Sequence, residues 1–257
     1  MPKIRILDYR LEYEWIGPKP NLDPTIVFLH EGLGSVATWK DFPERIADES
    51  GLGVLVYSRP GYGKSDSVSL PRPASFMHDE ALIVLPAILD AFNIQNYILF
   101  GHSDGASIAL IYAGSDRAKG LKGVVSEAAH VFVEDLTIKG IVDARDAYEN
   151  GSLKSQLERY HGANVESTFR GWNDVWLRPE FLAWNIESFL PHIQVPVLVI
   201  QGENDEYGTL DQVEAIRKGC RGRVETLVLP ACGHDPHREQ PDLVTQATNS
   251  FINSLRI

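Results

Sequence analysis

Short runs of wholly apolar residues alternate along this chain with longer stretches in which apolar positions recur every three or four residues. Thr25 to His30, Gly53 to Tyr57, Tyr97 to Phe100, Leu121 to Ala129, Val195 to Gln201 and Val224 to Leu229 read as strands, most of the buried type. Trp39 to Ser50, residues 76–93, Asp104 to Tyr112, Asp211 to Lys218 and Pro241 to Leu255 carry helical spacing. Residues 4–16 alternate loosely (Ile4, Ile6, Leu11, Tyr13, Trp15) and predict an opening antiparallel hairpin, closed by the Pro/Asn/Asp-rich stretch 17–24. Strands alternating with helices predict an α/β fold: a doubly wound, mostly parallel eight-stranded sheet with helices on both faces. In such a sheet functional groups belong at the carboxyl ends of the strands.

One segment breaks the rhythm. Between His130 and Pro191 no strand signal occurs, only helical stretches dense in aromatics, among them Tyr148, Tyr160, Phe169, Trp172, Trp176 and Trp184. The chain is therefore expected to divide into a core, residues 1–130 and 191–257, and a helical cap, residues 131–190, lying over the strand ends. Most of these aromatics are expected to pack the cap onto the body. Trp172 and Trp176 are the candidates for lining a pocket beneath it.

Composition narrows the class of partner. At 257 residues with 44% hydrophobic content, the chain can bury one large core. A net charge of −11 argues against nucleic acid or an anionic membrane as the partner, since both need a basic footprint. The longest apolar stretch, Ala81 to Leu89, is interrupted by Pro86 and is too short to span a bilayer. Met1 to Arg5 leads into no apolar core of signal-peptide length. The two cysteines, Cys220 and Cys232, could pair, but such sparse usage suits a reducing compartment. These readings predict a soluble cytoplasmic protein; nothing in the pattern speaks to oligomeric state.

Chemistry concentrates at Tyr97-Ile98-Leu99-Phe100-Gly101-His102-Ser103-Asp104-Gly105-Ala106. An apolar strand there ends in Gly-x-Ser-x-Gly and passes into a helix, the setting in which a serine on a sharp turn projects its hydroxyl clear of a sheet. The flanking glycines leave room for a strained turn, and the helix amino terminus favours negative charge beside the serine. A serine needs a base, usually a histidine oriented by a carboxylate. Two later strand ends offer them: Gly202-Glu203-Asn204-Asp205 and Ala231-Cys232-Gly233-His234. Asp205 competes with Glu203, Glu206 and Glu127 for the acid, and His234 with His237 for the base. The cluster from Cys232 to His237 lacks zinc-ligand spacing, so no metal is expected. Gly63-Lys64-Ser65 lacks the earlier glycine of a phosphate loop, whose position Ser58 occupies, so no nucleotide is expected either.

These residues, in this order, resemble those of the α/β-hydrolase fold superfamily across nearly the whole chain. In that family the acid is the fourth residue of a Gly-x-x-Asp turn, matching Asp205, and the base follows a glycine after the last strand, matching His234. Ser58-Arg59-Pro60-Gly61-Tyr62-Gly63-Lys64-Ser65 resembles the family's (Asp/Ser)-x-Pro-Gly-x-Gly-x-Ser turn, which is structural. The resemblance implies an oxyanion hole formed by the backbone N–H of Asp104 and one from the loop after His30. The family's His-Gly-x-Gly reads His30-Glu31-Gly32-Leu33-Gly34 here, so the second donor falls on Gly32 or, next, Leu33.

The implied reaction is acyl transfer to water from a small-molecule acyl substrate such as an ester, thioester, lactone or amide, with no cofactor. A serine in place of aspartate excludes the branches resembling haloalkane dehalogenases and epoxide hydrolases. Carbon–carbon hydrolases of aromatic catabolism and a non-catalytic ligand-binding member of the fold are the alternatives. The Gly-x-Ser-Asp-Gly elbow is also similar to that of amino-acid-ester hydrolases. Asp104, Glu31 and Glu127 would then make the site acidic and favour a cationic substrate, with Glu31, Leu33, Trp172 and Trp176 as pocket candidates.

Overall fold

A computed structural model describes residues 1–20 and 22–255. Its eight strands form one open sheet in the order β1-β2-β4-β3-β5-β6-β7-β8. They are β1 (Lys3–Ile6), β2 (Tyr9–Ile16), β3 (Thr25–Leu29), β4 (Val54–Tyr57), β5 (Tyr97–His102), β6 (Leu121–Glu127), β7 (Val197–Gly202) and β8 (Val224–Leu229). The opening hairpin β1–β2 is antiparallel and β2 runs antiparallel to β4; every other pairing is parallel. The expected eight-stranded, mostly parallel architecture is the one observed.

Period-two alternation sorts the apolar side chains of the central strands onto two faces. Val27 and Leu29 of β3 and Leu99 of β5 join a core with the helix α4 (Asp104–Ala113). Ile26, Phe28, Ile98 and Phe100 join a second core on the other face, with α1 (Phe42–Ser50) and the closing helix α10 (Pro241–Ser254). Both faces being covered, β3 to β5 are buried at every position and read as continuous apolar runs rather than alternating ones.

The stretch read as one helix over 76–93 is α2 (Phe76–Asp79) and α3 (Leu85–Ala91) joined by a π-helical turn, Glu80–Val84. Pro86 in the first turn of α3 has no N–H to complete a regular ladder, which suits a change of helical pitch there. Between β6 and β7 the chain is helical: α5 (Asp135–Glu149), α6 (Leu153–His161), α7 (Val165–Trp176) and three short 3-10 turns. An isolated antiparallel bridge, Phe132 to Asn185, ties its two ends together. After β7 come α8 (Leu210–Gly219) and, after β8, α9 (Pro236–Glu239). Cys220 and Cys232 are both free thiols. Among the described residues no helix is long and apolar enough to cross a membrane.

Candidate active site

The turn between β5 and α4 holds Ser103 at φ 54°, ψ −119°, a conformation that costs a non-glycine residue on the order of 1–3 kcal/mol. The fold maintains it by burying both flanks. The Ser103 N–H donates to the Glu127 carbonyl at 2.8 Å, and all ten residues of α4 are buried. Glycine is required on both sides for close approach: a Cβ on Gly105 would collide with the carbonyl oxygen of Leu29, and one on Gly101 with Gly105 and Ala106. The helix thus lies directly on the strand ends, with its amino terminus beside the serine hydroxyl.

Two other strand ends deliver side chains to that hydroxyl. His234, in the loop after β8, has Nε2 2.9 Å from Ser103 Oγ and Nδ1 within 2.9 Å of both oxygens of Asp205. Asp205, in the loop after β7, accepts in addition from the N–H groups of Tyr207 (2.8 Å) and Gly208 (3.2 Å) and from Gln201 Nε2 (2.7 Å). Burial pushes its carboxyl up, but the histidine and these donors outweigh burial and hold it below the ordinary range. An ionised Asp205 keeps the His234 proton on Nδ1 and leaves Nε2 free to accept from the serine.

Two of the rival residues, Glu127 and His237, are engaged with each other. Glu127 accepts from both the N–H (2.7 Å) and Nδ1 (2.9 Å) of His237, beneath the sheet end. Glu127 therefore does not line the cavity beside Ser103 and adds nothing to the acidity expected there. His102, Glu127 and His237 bring three ligand-type atoms within 4.8 Å of one another, the spacing of a possible metal group. Their hydrogen bonds go to each other and to backbone. His102 donates from Nε2 to the carbonyl of His234 at 2.7 Å, and its Nδ1 faces Glu31 Oε2 at 3.8 Å. Burial disfavours its charge, yet Glu31, Glu127 and Asp235 around it prevail and push it up to about 10. His102, read from the sequence as packing, sits between the loop after β3 and the loop of His234, where the surrounding carboxylates favour its protonated ring.

A cavity of about 330 Å³ opens beside Ser103 and His234. All the residues named from sequence as pocket or oxyanion candidates line it: Glu31, Gly32, Leu33, Asp104, Trp172 and Trp176. The indole of Trp172 occupies the space a Cβ on Gly32 would need. Trp176 donates from Nε1 to Asp104 Oδ1 at 3.3 Å, while Asp104 Oδ2 is buried without a partner among the described residues. Burial pushes the Asp104 carboxyl up to about 6, against the pull of Arg59. The N–H groups of Gly32, Leu33 and Asp104 find no backbone acceptor among the described residues, so the loop after β3 presents both of its candidate donors. Most other aromatics of the helical segment pack instead, as Tyr148 does on Phe169 with centroids 3.7 Å apart.

A family model described as the alpha/beta hydrolase family matches residues 26–247. The chain belongs to the alpha/beta hydrolase family. A curated relative, 2-succinyl-6-hydroxy-2,4-cyclohexadiene-1-carboxylate synthase of Escherichia coli, is 30% identical over 255 residues, covering 87% of this chain and 91% of its own. Among solved structures, a thermophilic esterase from Thermogutta terrifontis superposes with TM-score 0.78 at 18% identity, over 100% of both chains. The enol-lactonase from Burkholderia xenovorans LB400 does so with TM-score 0.73 at 20% identity, over 98% of this chain and 100% of that one. At these identities the two structures share the alpha/beta hydrolase fold.

Two groups that shape this alpha/beta hydrolase site carried no signal in the sequence. Arg59 stands in a turn that resembles a structural motif, yet its guanidinium is buried and donates from Nη2 to the Glu31 carbonyl at 2.7 Å. His161 is one of the eight histidines of the chain, alone in a helical stretch that gives it no pattern, and its ring reaches the same loop.

Proposed function

We propose that the chain is a serine hydrolase cleaving a small carboxylic ester, or a thioester or lactone, through Ser103, His234 and Asp205. The observation that carries this reading is the unbroken line of hydrogen bonds from Ser103 Oγ through His234 to Asp205, at 2.9 and 2.8 Å. Ser103 Oγ attacks the acyl carbon as His234 Nε2 takes its proton. The oxyanion accepts from the N–H of Asp104 and from the loop amides of Gly32 and Leu33. His234 returns the proton to the leaving alkoxide, and the acyl-serine forms. Water, deprotonated by His234, then attacks the acyl carbon; the proton passes to Ser103 Oγ as the acid departs. Segment 131–190 acts as the cap, with Trp172 and Trp176 shaping the acyl pocket.

The lining favours a neutral or cationic substrate. Glu31, Asp104, Glu206 and Asp235 face the cavity, with Arg238 the lone arginine or lysine of the lining. A second reading, favoured by the curated relatives, is chemistry on a carbocyclic carboxylate like that in the relative's name. The acidic lining opposes an anionic substrate, which places ester hydrolysis first.

The test is hydrolysis of p-nitrophenyl esters from acetate to dodecanoate by the wild type, Ser103→Ala and Asp205→Asn. The expected result is a loss of about 10⁴-fold or more for the first variant and about 10³–10⁴-fold for the second. The optimum chain length would size the pocket. Turnover unchanged in Ser103→Ala overturns the reading. No turnover of any ester by folded protein moves weight to the carbocyclic reading.

A further inference from the structure

The loop after β3 has its peptide planes held on either side of the Leu33 N–H. A peptide unit is planar and trans, so a carbonyl fixed in place fixes the N–H of the next residue. The Glu31 carbonyl accepts from Arg59 Nη2 at 2.7 Å, His30 Nδ1 at 2.8 Å and the Gly34 N–H at 3.1 Å, and this orients the Gly32 N–H. Those partners all belong to the core or to the loop itself. The Leu33 carbonyl is held differently. It accepts from Nε2 of His161 at 2.8 Å, and His161 is the last residue of α6, in the cap.

The second ring nitrogen of His161 is also committed. Nδ1 accepts the Gly63 N–H at 2.9 Å, in the turn after β4. The two bonds together demand a neutral ring protonated on Nε2. The ring is buried, at 2% exposure, with Tyr62 edge-on at 6.3 Å and Glu31, Glu12 and His30 as the titratable groups around it. Burial holds it below the ordinary histidine range, so the neutral form is the one the site keeps. The Leu33 N–H lies in the peptide unit between the two held planes; the second plane is anchored at the Gly34 N–H by the Glu31 carbonyl and at the Leu33 carbonyl by His161, so the cap supplies one of its two anchors.

We propose that His161 is a positioning residue through which the seated cap orients the Leu33 amide toward the substrate carbonyl, so that the oxyanion site is complete only with the cap in place. This rests on the acyl-transfer reading above. Among the described residues the other hydrogen bonds of the cap to this region do not have this reach, and Trp172 meets Gly32 only by packing of its indole. Asn164 Nδ2 donates to the carbonyls of Gly63 (3.1 Å) and Ser65 (2.7 Å), and Thr168 Oγ1 to that of Gly61 (2.8 Å). They seat the cap on the same turn but leave the loop after β3 untouched.

The experiment compares His161→Phe, His161→Gln and Asn164→Leu with wild type. It reads kcat and KM on the best p-nitrophenyl ester, and amide hydrogen exchange in peptides spanning 30–36 and 60–66. His161→Phe keeps a ring and removes both bonds. It should lower kcat by about 10- to 100-fold with KM within about threefold, and speed exchange in both peptides. His161→Gln can still donate to Leu33 and should recover most of the loss. Asn164→Leu should speed exchange in 60–66 alone and leave kcat within about threefold of wild type. Unchanged exchange in 30–36 for His161→Phe overturns the proposal, as does an equal loss of kcat in Asn164→Leu, which would mean general loosening of the cap. A wild type without serine-dependent turnover would sink the acyl-transfer reading and with it the catalytic role, while exchange in 30–36 would still decide whether His161 holds the loop.

Discussion

His102 Nε2 donates to the carbonyl oxygen of His234 at 2.7 Å, so the residue preceding Ser103 holds the backbone of the histidine that bonds Ser103. Its ring also faces Glu31 and Asp235 at 3.8 Å each, and Glu127 lies nearby. This array has a pH signature. A histidine whose folded pKa is raised to about 10 contributes stability that is fully present below its unfolded value, near 6.5, and is lost as pH rises through 10. Wild-type Tm should therefore fall between about pH 7 and 10 more steeply than that of His102→Gln, which lacks the titrating group. Parallel curves across that window would count against the buried imidazolium.

Asp104 titrates in the same sense over a lower range. Burial raises its folded pKa to about 6, so the fold loses stability as pH rises from the unfolded value, about 3.9, to about 6, and the penalty is complete above that. Asp104→Asn should raise stability at pH 8 by on the order of 1–3 kcal/mol and change it little at pH 3, where both states bind the proton. Urea midpoints at the two pH values measure this. If the ionised Asp104 helps select substrate charge, the same variant should narrow the rate difference between ammonium-bearing and neutral esters of equal size.

The close seating of α4 on β3 is testable at Gly105. A methyl group there meets the carbonyl oxygens of Leu29 and His30, both backbone atoms within the packed core. Gly105→Ala should cost roughly 2–4 kcal/mol, or prevent folding, although alanine has the better intrinsic helix propensity. A Gly105→Ala protein as stable as wild type in urea would contradict the packing described for the elbow.

Gly32 and Trp172 should be energetically coupled, because the indole fills the space where the Gly32 side chain would be. Gly32→Ala alone is expected to displace Trp172 and lower kcat/KM on the preferred ester. In a Trp172→Ala background the same change should cost much less, while the enlarged pocket moves the optimum toward longer acyl chains. A double-mutant cycle checks this, and additive effects would show that the contact does not operate in solution.

The amino-acid sequence by itself determined the order and kind of the elements, because those depend on short-range physics. Wholly apolar runs such as Tyr97 to Phe100 can be buried only on both faces, and Gly101 and Gly105 around Ser103 mark a turn whose backbone admits no Cβ. The same reasoning placed carboxylates and histidines at the ends of β7 and β8. Tertiary structure decided which of them meet. Asp205 and Glu127 are both acids at neighbouring strand ends, yet one faces His234 and the other His237, a choice made by how two loops pack rather than by local pattern. The grip of His161 on Leu33, 128 residues apart, and the charge held on His102 arise likewise. A single histidine in a helix carries no periodicity, and burial beside three carboxylates exists only once the chain has folded.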